Sequence, residues 1–223
     1  MKYNLDLVCH YLLRIPVPIR DFTAAPKMMI IRSFDVNKPG EEIMNLKGGV
    51  AGGTILEGVL RVGDEVEIRP GIVVREKDGN FRCTSIMSKI VQLKAENNDL
   101  LYAVPGGLIG VGMQVDPSLT RSDHLTGHLL GHPGKLPDVM IEINIKFYLL
   151  RRLLGVKSES GSGKSASRVQ KLQKGEVLMV NVGSKSAGAS VIQLSSKGDF
   201  AKIKFMFPVC ASVGDKVALS RRI

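Results

Sequence analysis

Gly48-Gly49-Val50-Ala51-Gly52-Gly53-Thr54-Ile55 places four glycines within six positions. Such a run lets neighbouring backbones approach closely, or bulge, within a sheet. Its surroundings are strand-like. Met28-Met29-Ile30-Ile31 is an apolar run that passes into the alternating Arg32-Ser33-Phe34-Asp35-Val36, and Asn37-Lys38-Pro39-Gly40 is a turn signal. Val59–Val62 leads into the turn dipeptide Gly63-Asp64. Glu65-Val66-Glu67-Ile68-Arg69 then alternates at period two, which predicts one apolar and one charged face. Ile72–Val74 and Phe81–Cys83 flank Asp78-Gly79-Asn80, a hairpin signal. Ile86–Leu93 and Gly106–Gly112 complete the set. Many short strands with regular turns predict a β-barrel or sandwich.

Asp116-Pro117-Ser118 is the best boundary. Beyond it, Ile141, Ile143, Ile145 and Phe147 recur at period two with Glu142, Asn144 and Lys146 between them, a half-buried strand. Further strand runs follow at Val177–Val182, Ser190–Leu194, Ala201–Phe205 and Lys216–Leu219. The expectation is an all-β chain of two consecutive small barrels, residues 21–118 and 119–223, behind a short helix and linker in residues 1–20. The helix is read over residues 3–14 from Leu5, Val8 and Leu12, and stops before Ile15-Pro16-Val17-Pro18. A helix this short cannot bury its face alone. It needs either the body of this chain or a domain upstream.

The 223 residues carry 31 Lys+Arg against 21 Asp+Glu, a formal net charge of +10. Residues 21–118 hold 11 basic and 13 acidic side chains, whereas residues 119–223 hold 17 and 7, so the second half carries the excess. One-sided charge of this kind points to a polyanionic partner, most often nucleic acid, with solubility as the plain alternative. At 44% hydrophobic and 23% charged, the composition excludes a disordered tail, a fibre and a coiled coil. There is no apolar run long enough to span a membrane and no secretion-signal pattern at the N-terminus. Cys9, Cys83 and Cys210 are too few and too scattered for a disulfide framework or zinc knuckle, so a reducing, cytoplasmic setting is expected.

Gly161-Ser162-Gly163-Lys164-Ser165 resembles part of a phosphate loop, but Ser158 stands where the full motif has its first glycine. Its flanks are polar, without the strand and helix that would cradle phosphate, so the stretch reads as a solvated loop. Nucleotide hydrolysis there is the enzyme alternative. The same region gathers Arg151, Arg152, Lys157, Lys164, Arg168, Lys171 and Lys174 against Glu159 alone, a loop able to follow a phosphate backbone without reading sequence. His124, His128 and His132 are spaced by four, as metal ligands on a helix would be. Gly127, Gly131 and Pro133 break any helix there, and in a strand the three would spread over about 26 Å. No metal site and no nucleophile–base constellation is expected.

Gly52–Ile68 resembles the second domain of translational GTPases such as elongation factor Tu. The blocks Ile15–Phe22, Ile31–Gly40 and Leu46–Gly53 are similar to the gamma subunit of eukaryotic and archaeal translation initiation factor 2, with a eukaryotic texture. Pro105–Gly112, Leu149–Val156, Val177–Gly183 and Ala218–Arg222 continue the likeness over nearly the whole chain. The family begins with a GTP-binding domain whose motifs do not occur here and continues into one more strand. The resemblance therefore implies a fragment starting at the last helix of that domain, unable to hydrolyse GTP. GTP and Mg would belong to the missing domain, and this chain would hold no cofactor.

The implied function is delivery of initiator methionyl-tRNA, bound in a GTP-dependent way, to the small ribosomal subunit. Gly49, Val50, Gly52 and Gly53 would border the pocket for the terminal adenosine, where a glycine wall admits a nucleotide closely. The first barrel would dock the alpha subunit, the missing GTPase domain the beta subunit, and the basic second barrel would face tRNA or ribosomal RNA. The alternative is a protein-interaction module docking the alpha subunit without RNA binding.

Overall fold

The computed structural model describes residues 4–149, 171–195 and 199–221. Helix α1 (Leu5–Leu13) precedes fourteen strands among these residues. The first nine are β1 (Lys27–Phe34), β2 (Val50–Glu57), β3 (Leu60–Arg61), β4 (Glu65–Arg75), β5 (Phe81–Ala95), β6 (Asn98–Leu100), β7 (Tyr102–Ala103), β8 (Ile109–Met113) and β9 (Leu129–Gly131). The last five are β10 (Val139–Lys146), β11 (Val177–Val182), β12 (Lys185–Leu194), β13 (Phe200–Cys210) and β14 (Val217–Ser220). The expected all-β architecture is what the chain adopts.

In the first sheet the order is β4-β9-β1-β2-β8-β5-β6, and a β4–β5 ladder closes six of these strands into a barrel. Alternate residues point inward. Met28, Ile30, Val66, Ile68, Leu93, Val111, Met113 and Leu130 are fully buried, each contributing on the order of 1.5–3 kcal/mol through its burial. The turn at Asp78-Gly79-Asn80 forms as expected: Glu76 N–H donates to the Asn80 carbonyl at 2.8 Å, and Arg75 pairs with Phe81. The two strand runs expected at 81–83 and 86–93 are one continuous 15-residue strand, β5.

Two expectations are corrected. The first sheet does not stop at residue 118. Strand β9 lies between β1 and β4, with Met28 opposite Leu130 and Ile68 opposite Leu130, so residues up to Gly131 belong to the ring. Asp116-Pro117-Ser118 only redirects the chain. It forms a 3-10 turn in which the Asp116 carboxylate accepts from Ser118 N–H at 2.8 Å. The β4 face read as charged is also covered. Glu67 is only 4% exposed, because the loop after β9 folds over it. Arg69 Nε donates to Glu67 at 2.7 Å and Gly134 N–H at 2.8 Å, while Arg69 Nη1 reaches the Leu136 carbonyl at 3.0 Å. Burial would raise the Glu67 carboxyl, but these hydrogen bonds outweigh it and hold its pKa below the ordinary value.

The second sheet has the order β10-β13-β12-β11-β14. Ile145, Leu178, Val180, Val191, Ile203 and Phe205 form its core, with Ile143 and Phe147 packed against them. The period-two reading of residues 141–147 places those side chains correctly. Met29, Leu129, Leu136 and Cys210 form a small apolar seam between the two bodies, where Ser184 Oγ donates to the Ile30 carbonyl at 2.7 Å. Burial pushes the Cys210 thiol up to about 11, and its Sγ donates to the Pro137 carbonyl at 3.1 Å. Helix α1 buries no residue among those described; Leu7 is 68% and Leu13 84% exposed.

Candidate nucleic-acid interface

On the outside of the first barrel, the ladders align two rows across four strands. In one row Arg32 on β1 pairs with Gly52 on β2, Gly52 with Gly110 on β8, and Gly110 with Lys94 on β5. In the next, Phe34 pairs with Val50, Val50 with Gly112, and Gly112 with Gln92. Directly paired residues share a sheet face. The row between them, Ser33, Ala51, Val111 and Leu93, is buried at 0–2% exposure. The flanking rows therefore lie on the outer face, where Gly52 is itself buried and Val50, Gly110 and Gly112 are half-buried. They form a shallow trough whose floor is backbone, with Arg32 and Lys94 on opposite banks roughly 14 Å apart and the half-exposed Phe34 ring beside it.

The glycines of this region divide into two kinds. A Cβ at Gly48 would run into the Met113 carbonyl, at Gly49 into the Thr120 side chain, and at Gly53 into the Met29 carbonyl. Those glycines are needed for the strands to close. At Gly52 a Cβ would meet nothing nearer than Arg32 Cβ at 3.8 Å, and at Gly110 nothing nearer than the Lys94 carbonyl at 3.8 Å. The barrel itself does not require glycine at these floor positions. Of the four residues singled out from sequence, Val50 and Gly52 thus face the trough, while Gly49 and Gly53 serve internal closure. Arg32, Phe34, Gln92, Lys94, Gly110 and Gly112 were not singled out. The spacing Gly110-Val111-Gly112 is their sequence signal, since period two puts both glycines on one face.

Aspartates anchor both banks. Asp123 accepts from Ser33 N–H at 2.9 Å and from Arg32 Nε at 3.0 Å, and these bonds, the backbone one foremost, hold its carboxyl below the usual range. Asp99 accepts from Gln92 Nε2 at 2.7 Å and lies 3.6 Å from Lys94 Nζ. The arrangement can seat a flat ring on the floor beside Phe34, meet phosphate with Arg32 or Lys94, and hydrogen-bond a ribose hydroxyl through Gln92 or Asp99.

The other sequence candidates are dispersed. Lys171 and Lys174 are exposed ahead of β11, while Arg151, Arg152, Lys157, Lys164 and Arg168, together with Gly161–Ser165, lie outside the described residues. The histidines have separate environments: His124 is exposed, His128 Nε2 donates to the Gly71 carbonyl at 3.1 Å, and His132 Nε2 lies 3.5 Å from Asp64. Among the described residues no three His, Cys, Asp or Glu side chains are grouped to hold a metal.

A family model described as elongation factor Tu domain 2 matches residues 48–122, which include the trough strands β2, β5 and β8. A second, described as initiation factor eIF2 gamma, C terminal, matches residues 141–223. The whole chain is 56% identical to eukaryotic translation initiation factor 2 subunit 3 of Drosophila melanogaster, and 58% identical to eukaryotic translation initiation factor 2 subunit gamma of Schizosaccharomyces pombe. The chain belongs to the eIF2 gamma family. It covers 46% and 49% of those two proteins, so it spans about half the length of the curated relatives it matches. The regions matched by the two family models, residues 48–122 and 141–223, fall on the two β bodies. No helix among its described residues is long and apolar enough to cross a membrane.

Proposed function

We propose that this chain provides the two β bodies with which an eIF2 gamma subunit holds initiator methionyl-tRNA and brings it to the small ribosomal subunit in the cytosol. GTP and Mg would be bound by a domain outside this chain. The trough of the first barrel takes the terminal adenosine of the acceptor end: the base lies over Gly52, Gly110 and Gly112 beside Phe34, and Arg32 and Lys94 neutralise the adjoining phosphates. The observation that carries this reading is the floor. A side chain at Gly52 or Gly110 would meet nothing closer than 3.8 Å, and glycine at these places lets a ligand lie against the backbone.

Loss of one stacked base costs about 1–3 kcal/mol. Phe34→Ala in the complete factor with GTP is therefore expected to weaken methionyl initiator tRNA about 5- to 150-fold, with little effect on tRNA lacking its terminal adenosine. Equal affinity of variant and wild type for the intact tRNA, at an unchanged melting temperature, refutes the assignment.

A second reading has its own support. The loop between β1 and β2 exposes Ile43 at 85% and Met44 at 93%, beside Glu41 and Glu42. Two bare apolar side chains on one loop suit a protein partner, which fits docking of the alpha subunit on the first barrel.

A further inference from the structure

The second sheet turns a different kind of surface to solvent. Between β10 and β13, Glu142 stands opposite Lys204, Asn144 opposite Lys202, and Lys146 opposite Phe200. The ladder to β12 continues Lys202 to Gln193 and Lys204 to Ser190. The alternate residues Ile143, Ile145, Ala201 and Ile203 face the core. Lys146, Lys202 and Lys204 thus share one outward face with Asn144, Gln193 and the half-exposed Phe200 ring.

Lys146 Nζ lies 5.9 Å from the centre of the Phe200 ring. Lys202 and Lys204 share a single acid, with Lys202 Nζ 2.7 Å and Lys204 Nζ 3.7 Å from the Glu142 carboxylate. Lys202 foremost holds that carboxyl below its ordinary range. Two residues apart on one strand, the two lysines stand about 7 Å from each other on a flat surface.

We propose that this outward face of β10 and β13 contacts the phosphates of an RNA helix through Lys146, Lys202 and Lys204, with Glu142 holding two of them in place until RNA displaces it. The inference rests on the RNA-binding reading above but uses a different body from the trough. Lysine ammonium groups meet phosphate as point charges and carry no base specificity. Asn144 and Gln193 can add hydrogen bonds to phosphate or to the 2′-hydroxyls of a shallow minor groove. Charge favours RNA over a protein partner. Three cations face one anion, and the large apolar side chains of this face, Phe200 beside Lys146 and Met206 beyond Lys204, stand at the two ends of the row rather than forming the apolar centre that a protein interface needs.

The test is fluorescence anisotropy of the whole chain with an end-labelled blunt RNA duplex of about 16 base pairs, titrated between about 50 and 200 mM salt. A blunt duplex offers no single-stranded 3′ end to the trough, so this result and the Phe34→Ala result fail independently. The combined variant Lys146→Gln, Lys202→Gln and Lys204→Gln is expected to bind about tenfold or more weakly, with a salt slope smaller by about 2 to 3. Glu142→Gln alone is expected to bind up to about fivefold more tightly, having lost the competing acid. Misfolding could not produce that opposite change. Wild-type affinity and slope in the triple variant, weaker binding by Glu142→Gln, or no duplex binding by wild type each overturns the proposal. So does lysine-dependent binding of polyglutamate without duplex binding, which would give the face to a protein.

Discussion

The first body closes on itself and the second, among the described residues, does not. In the barrel every strand of the ring has a ladder on both sides, and β4–β5 completes the circle. The five-strand sheet ends at β10 and β14, with no ladder joining them among the described residues. Their outer surfaces differ in the same sense. Closure fixes the backbone of β2 and β8 from both flanks, so the barrel can carry glycines on its outer face, half-buried at Gly110 and Gly112. The open sheet presents side chains: Glu142, Asn144 and Lys146 on β10, and Phe200, Lys202, Lys204 and Met206 along β13. Charge follows this division: 12 basic against 14 acidic residues over 21–131, and 16 against 6 over 132–223. On the two proposals above, one body recognises by shape and the other by charge.

The contrast in closure makes the largest prediction. Ile203 at the centre of the second core and Ile68 in the barrel core are both fully buried. Truncating either to alanine is expected to cost about 2–5 kcal/mol. The seam of Met29, Leu129, Leu136 and Cys210, with Ser184 bonded to Ile30, ties the bodies together. Ile203→Ala should therefore lower the midpoint of one common urea transition read by circular dichroism. If the transition instead splits, with the Ile203→Ala shift confined to one part, the open sheet unfolds by itself and the seam does not couple it to the barrel.

A smaller effect probes the barrel flank of that seam. Burial pushes His128 below its ordinary pKa, against the bond to Gly71, and Lys185 on β12 adds to the push. The folded state prefers the neutral ring. The contribution is then fully present above the unfolded value near pH 6.5 and is lost as pH falls through the lower folded value. Wild type should lose melting temperature between about pH 7 and pH 5 more steeply than His128→Gln. Parallel curves for the two proteins would show that the buried ring does not set this dependence.

Local signals in the sequence survived folding better than those depending on distant partners. The hairpin at Asp78–Asn80 was legible because its hydrogen bonds lie within five residues, from Glu76 to Asn80. The inward set Ile143, Ile145 and Phe147 was legible because strand alternation alone fixes which side chains share a face. Glu67 was not, since it accepts from the distant Gly134 N–H and from Arg69, which the Leu136 and Pro137 carbonyls hold in place. The end of the first sheet was missed for a related reason: β9 is three residues long, too short to show alternation, and its place between β1 and β4 is set by tertiary pairing. At the trough, Val50 and Gly52 were singled out through the family resemblance. The banks Arg32 and Lys94 come into line with them only through the register of three ladders, which no single segment encodes.

The smallest predicted change in stability is the most pointed one. A methyl group at Gly53 would drive into the Met29 carbonyl, whereas at Gly52, on the other face, it would meet Arg32 at ordinary contact distance, Cβ at 3.8 Å and the carbonyl at 3.9 Å. Gly52→Ala is therefore expected to leave stability within about 0.5 kcal/mol of wild type. A ligand lying on the backbone would still feel that methyl group. If the barrel recognises by shape and the open sheet by charge, Gly52→Ala should weaken binding of an RNA ending in a single-stranded adenosine while leaving the blunt duplex and its salt slope untouched. Equal loss on both RNAs would mean that one surface serves both, and unchanged binding of both would mean that the floor is bare for a reason unconnected with RNA.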